Sequence, residues 1–506
     1  MKWLANAVLV IFSIAVTSLA AEGVIRVLDG SPLFAADLPE TIDRDLGEKY
    51  VDAIPRAAGV SRSWFSQDPP PLPNRHKPPA EWVRFLHELK PAPDYIIGAA
   101  RPADYFKAWN TAFANHPCDI PLFRSMTGQI FTYRPPDGSP TPPYRFLPDT
   151  TTPLGLVTNQ IGWRGPPLEF RKAPKTVRIV FAGASTTLNS HYYPYSYPEF
   201  VGHWLNIWAK SRNLDVRFEA LNSGRESIAP TDVAAIVRKE ALPLQPDLVV
   251  YFGAANPLML RQLIKTMPEA KPALNVDQTV SPTGVARILR DLSYHFALAR
   301  RLRAAFGLVN NPGRGEEWPK PDYELVWPAD IDKKDPDLAR PDLPLGLSEF
   351  VRSFTQMRAD LASIGSELAL SSFEWSVRDG MVVDPVAHKA QLENLNISFF
   401  PFRYRDMELA SRFANSVFAK YATQHGLTFF DVAGLLPKDP DLFTDASHLT
   451  YGGVRLHAWL VLQGLIPLIE KRLAAGAWPT PQPPGEPPPG LYFTPQVLPL
   501  NCGPTP

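Results

Sequence analysis

Cysteine is nearly absent, with 2 in 506 residues. That excludes a disulfide-stapled scaffold and any Cys-rich zinc or iron–sulfur module. Net charge is absent too, because 51 Lys+Arg balance 51 Asp+Glu. The chain therefore lacks the long-range positive field that nucleic-acid binders use, and no nucleic-acid partner is expected. No His/Cys/carboxylate cluster has metal-ligand spacing, and there is no Gly-rich phosphate loop, so neither a metal nor another cofactor is expected. Internal repeats at solenoid or propeller periods are missing.

Proline is in excess, at 56 of 506 residues, about twice the usual ~5%. It implies long irregular connections and extended surface segments and argues against a helical bundle. Hydrophobic residues make up 45% of the chain, ample for a core. Roughly 150 residues per domain would suggest two to four units, although large α/β folds often run as one.

Lys2 precedes an uncharged run over 3–21, long enough at about 1.5 Å per residue to span a bilayer. Two readings stay open: a signal peptide with Ser18-Leu19-Ala20 as the cleavage site, or a single anchor extended by Val24, Ile25, Val27 and Leu28. In both the cationic start stays inside and the remainder is exported, to the periplasm or to a membrane-anchored position outside the cytoplasm. Export would allow Cys118 and Cys502 to pair and pin the tail to the N-terminal region.

Four regions follow: 1–21 as signal or anchor, 22–150 as a Pro-rich region packing on the main domain, 151–477 as that domain, and 478–506 as a Pro-rich tail. A helix is expected at 81–89. From 176 onward strand and helix patterns alternate. Strands are expected at 176–182, 216–221, 246–252, 366–373 and 427–432. Helices are expected at 197–211, 231–242, 347–364, 406–424 and 454–472. The strands are nearly continuous apolar runs, as a parallel sheet covered on both faces requires. An insertion at about 257–345 interrupts the alternation with a basic helix (285–306) and a Pro/Asp-rich loop. The tail holds eleven prolines from 479 to 506 and should be extended.

The sharpest motif is Phe181-Ala182-Gly183-Ala184-Ser185-Thr186-Thr187. A strand ends in a turn of small residues with Ser185 at its tip, at the carboxyl end of the sheet, where open α/β folds bind ligands. A turn serine capping a helix would look the same. A serine nucleophile needs a base, and the base an orienting acid. Asp445-Ala446-Ser447-His448 supplies both just before the last helix, and no other Asp in the chain precedes a His by three. An oxyanion needs fixed donors. Asn222-Ser223-Gly224 and Gly253-Ala254-Ala255-Asn256 close the next two strands. The N–H groups of Ser185 and Gly224 and the Asn256 amide are the candidate donors.

This ordered set resembles the SGNH/GDSL hydrolase superfamily, in the exported bacterial G-x-S-T variant. Ser185 matches the block-one nucleophile, Gly224 the block-two glycine, Asn256 the block-three asparagine, and Asp445 with His448 the closing D-x-x-H. The resemblance includes Asn159-Gln160-Ile161-Gly162-Trp163-Arg164-Gly165 and Leu449-Thr450-Tyr451-Gly452-Gly453 and spans about 150–475. It implies a three-layer α/β/α sandwich on a five-stranded parallel sheet, flavodoxin-like, and a serine esterase acting through an acyl-enzyme. The implied substrate is an acetyl or other acyl ester of a cell-envelope glycan or lipid. An O-acyltransferase with the same triad, or a non-catalytic envelope scaffold, are the alternatives. Two positions depart from the pattern: Ala184 replaces the usual block-one acid, and Ala254-Ala255-Asn256-Pro257 replaces G-x-N-D. An ordinary α/β-hydrolase expects G-x-S-x-G, but Thr187 stands at the second glycine.

Lesser candidates are His191, Tyr192, Tyr193, Tyr195 and Tyr197, expected to pack the loop after the nucleophile, with pocket lining as the alternative. Arg164 is expected to pair within the fold, with binding of an anionic substrate as the alternative. Arg287, Arg290, Arg300, Arg301 and Arg303 are expected on a solvated helix face, with a lipid-headgroup contact beside an anchor as the alternative.

Overall fold

A computed structural model describes residues 2–28, 33, 47–78, 132–133, 140–152, 155–189, 194–254, 258–268, 296, 298–299, 317–318, 320–383 and 388–481. Cys118, Cys502, Asn256, residues 191–193, the expected helix 81–89 and the five insertion arginines lie outside them.

The central sheet has five parallel strands: β1 (Thr176–Gly183), β2 (Arg217–Asn222), β3 (Leu248–Phe252), β4 (Glu367–Ser371) and β5 (Thr428–Phe430). Their spatial order is β2-β1-β3-β4-β5. Every residue of β1 and β3 is buried, as expected for inner strands covered on both faces. Edge strand β2 begins with an exposed residue and has half-buried positions.

Helices among the described residues include α1 (Lys2–Leu28), α2 (Ser185–Leu188), α3 (Tyr197–Ser211), α4 (Pro230–Ile236), α5 (Leu347–Ala362), α6 (Lys389–Glu393), α7 (Tyr404–Gln424) and α8 (Tyr451–Ala474), with a further short one at Val432–Leu435. Right-handed crossovers decide the layers. The chain steps from β1 to β2 in one direction and from β2 onward in the other. That puts α3 on one face and α4, α5 and α7 on the other, and α8 packs beside α3. This is the expected α/β/α sandwich, and most expected strands and helices fall within a few residues of their observed bounds. Helix α8 is long and apolar enough to cross a membrane, yet 83% of its most apolar window is buried in the domain. A helix apolar all round is a core helix when protein covers it.

Part of the Pro-rich N-terminal region straps the α3/α8 layer. The Phe65 ring packs on Trp204 and Trp459, its carbonyl accepts from Arg455 Nη1 at 2.6 Å, and Trp204 Nε1 donates to the Gln67 carbonyl at 3.1 Å. Asn74 Nδ2 donates to the carbonyls of Thr158 and Gly165 at 2.9 and 3.0 Å. At the other end, packing runs past 477. Trp478 is buried, and Thr480 donates through N and Oγ1 to Asp247 Oδ1 at 2.6 and 2.7 Å. Within the insertion Val326 N donates to the Leu263 carbonyl at 2.7 Å, and its two ends meet where Met259 N donates to the Leu345 carbonyl at 3.1 Å. Helix α1 extends past the expected boundary at 21, and Trp3, Leu9, Phe12, Ile14 and Leu19 on it are exposed.

Candidate active site

Strand β1 delivers Ser185 to the carboxyl edge of the sheet. Gly183 pairs with Phe252 in the ladder, and a Cβ on Gly183 would overlap the Phe252 carbonyl oxygen and Thr187 Oγ1. Only glycine fits that approach. Thr187 Oγ1 donates to the same carbonyl at 2.8 Å, so the turn is tied to β3. Ser185 then opens α2. The first N–H groups of any helix have no intrahelical partner, which leaves those of Ser185 and Thr186 unclaimed by the helix.

Asp445 and His448 sit on a tight loop, where Phe443 bridges Leu449 and the Thr444 N–H donates to the His448 carbonyl at 2.8 Å. Asp445 Oδ1 accepts the N–H groups of Ser447 and His448, both at 2.9 Å. That side-chain turn is why a spacing of three suits the pair. Asp445 Oδ2 lies 2.8 Å from His448 Nδ1. With a carboxylate accepting at Nδ1, the proton resides there and Nε2 is the acceptor. Nε2 lies 2.7 Å from Ser185 Oγ. Ser185 and Asp445 are buried, while the His448 side chain keeps 18% exposure, enough for water to reach the imidazole. Hydroxyl, imidazole and carboxylate thus form one hydrogen-bonded chain, and a serine in that chain can pass its proton to the imidazole while attacking an electrophile.

Gly224 lies at the end of β2, but its N–H is committed: it donates to Asn222 Oδ1 at 2.9 Å. The expectation of a free oxyanion donor there needs correcting, because a bound oxyanion has to compete with that amide. Its small size serves packing, since a Cβ would stand 2.5 Å from Leu188 N.

The N-x-x-G-W-R-G run supports the nucleophile turn from below. Asn159 Oδ1 accepts the N–H groups of Ile161 and Trp163 at 3.2 and 3.0 Å. Gly162 takes a φ of +76°, open to glycine at no steric cost. Arg164, buried, donates to the carbonyls of Leu188 (3.2 Å) and Asn189 at the end of α2 and pairs with Glu199 at 3.3 Å. Burial pushes its pKa down, and Glu199 opposes that. The expectation that Arg164 pairs within the fold is met. Tyr197 packs on Phe181, Phe252 and His457 inside the core, and half-buried Tyr195 packs on Phe200.

Sequence reasoning missed the structural use of Thr187 and the role of 388–402, a segment with no strand or long-helix pattern. The G-T pair bracketing Ser185 was a signal for the first; nothing in the sequence signalled the second. Among the described residues, no group of three or more His, Cys, Asp or Glu is arranged to hold a metal ion.

No protein-family model matches the chain. No curated protein matches it. Solved structures similar to it include a GDSL-like lipase from Bacteroides thetaiotaomicron, at 12% identity over 60% of this chain and 92% of that one, TM-score 0.28. A lipase/acylhydrolase from Enterococcus faecalis is similar at 12% identity over 57% and 95%, TM-score 0.30. An acetyl xylan esterase variant from Geobacillus stearothermophilus is similar at 10% identity over 59% and 97%, TM-score 0.31.

Proposed function

We propose that the chain is a serine esterase of SGNH type. The observation that carries this is the continuous Ser185–His448–Asp445 chain, with contacts of 2.7 and 2.8 Å. His448 Nε2 takes the Ser185 proton as Oγ attacks an ester carbonyl. The tetrahedral oxyanion is met by the Ser185 N–H, with the Asn256 amide as a further donor. His448 returns the proton to the departing alcohol, which leaves an acyl-serine. Water attacks that ester, gives its proton to His448, and the acid departs as the proton goes back to Ser185 Oγ. Asp445 stabilises the imidazolium in both halves.

The apolar, exposed face of α1 supports export with retention at a membrane, so the proposed substrates are acyl esters of the cell envelope, acetylated glycans first and lipids second. A sugar hydroxyl replacing water in the second half would make the same site an acyltransferase.

The test is a fluorophosphonate probe and p-nitrophenyl acetate with the full chain and with Ser185→Ala. Labelling and turnover present in the wild type and lost in the variant support the esterase. Their absence from the wild type would sink it in favour of a non-catalytic envelope protein. Free acid against an acylated acceptor separates hydrolase from transferase.

A further inference from the structure

Helix α6, Lys389–Glu393, runs straight into a five-residue π-helical turn, Asn394–Ser398. Such turns are rare and recur at functional sites. The first residue of this one reaches the loop that carries Asp445 and His448: Asn394 Oδ1 accepts the Ala446 N–H at 3.1 Å. The Ala446 carbonyl in turn accepts the Ser376 N–H at 2.8 Å, from the chain beyond β4. Ala446, wholly buried, lies between the acid and the base. Just ahead of α6, His388 Nε2 meets Asp441 Oδ1 at 2.6 Å, so the same segment grips the loop at a second point.

We propose that Asn394 is a positioning residue for the acid–base pair, holding the Ala446 peptide so that Asp445 and His448 stay in line with Ser185. Its kinetic consequences rest on the esterase reading; its geometry does not. Without the Asn394 carbonyl the buried Ala446 N–H has no acceptor, and a buried donor turns toward a new partner. Turning that peptide moves both neighbours, and a shift of about 1 Å in a reacting group costs on the order of 100-fold in rate. Asn394 Nδ2 makes no hydrogen bond among the described residues, so the acceptor oxygen is the working atom.

The experiment compares Asn394→Leu, which removes the acceptor, with Asn394→Asp, which keeps it. Expected for Asn394→Leu is a fall in kcat for p-nitrophenyl acetate of about 10- to 100-fold with KM unchanged. Asn394→Asp stays within about threefold of wild type. The far-downfield proton resonance of His448 Nδ1–H is retained in the Asp variant and lost or shifted in the Leu variant. Asn394→Ala replaces Leu if the larger side chain prevents folding. Full kcat in the acceptor-less variant, or equal loss in the Leu and Asp variants, would overturn the proposal. A wild type that neither labels nor turns over counts against the esterase instead, and the proton resonance then decides the role of Asn394 alone.

Discussion

Thr187 Oγ1 and the Phe252 carbonyl lie 2.8 Å apart, across the gap that Gly183 leaves open between β1 and β3. This contact fixes the height of the nucleophile turn above the sheet. Gly183→Ala should destabilise the fold by on the order of 3 kcal/mol or more, since the clash is with backbone and not with a flexible side chain. Thr187→Val keeps the shape, strands the carbonyl and should cost about 1–3 kcal/mol. Urea unfolding of both variants checks the order.

Asp445 holds His448 through Nδ1 and through the backbone N–H. Asp445→Asn should leave substrate binding intact and lower kcat by about 10³–10⁴-fold, because the amide favours the wrong imidazole tautomer. In the wild type the base works only when neutral, so the rate should fall on the acid side as the imidazole protonates. A pH–rate profile with an acid limb that Ser185→Ala lacks altogether is the expected outcome.

Arg164 and Glu199 are both buried and paired. Arg164→Met leaves the Glu199 charge uncompensated and frees the carbonyls at the end of α2, at a cost of about 3–5 kcal/mol. Adding Glu199→Gln removes the stranded charge and should recover part of that loss. A thermal melt of the single and double variants reads this directly.

Lys320 has its pKa pushed down to about 8 from 10.5, chiefly by burial, with Glu317 opposing. Its Nζ also donates to the Asn396 carbonyl at 3.2 Å. The unfolded chain binds more protons at this site than the folded one between those two values. Its contribution to stability therefore rises with pH across that window and is least favourable below about 8. Relative to Lys320→Met, the wild type should gain on the order of 1–3 kcal/mol between neutral pH and pH ~10. Urea midpoints of both proteins at the two pH values test the sign.

Much of this site was legible before any coordinates. Ser185 stood at the end of a strand-like run, and Asp445 and His448 stood three apart before a helix; the structure joins all three. Gly224 was legible as a position but not as a function, because the direction of its N–H depends on where the Asn222 amide turns. Asn394 left no trace, since its contact is with Ala446, 52 positions away. The strap through Phe65 was equally silent: a Pro-rich run does not reveal which helices its aromatics will meet.

The sequence by itself determined what neighbours along the chain can settle. Apolar runs became inner strands, and the Asp445 carboxylate closed its own turn on the N–H groups two and three residues on. Such features need only local dihedrals and short-range hydrogen bonds. Tertiary structure alone decided that His448 meets Ser185 across 263 positions. That distance is set by strand order, the handedness of the crossovers and the segments that pin Ala446. These are properties of packing between distant elements, and no local pattern encodes them.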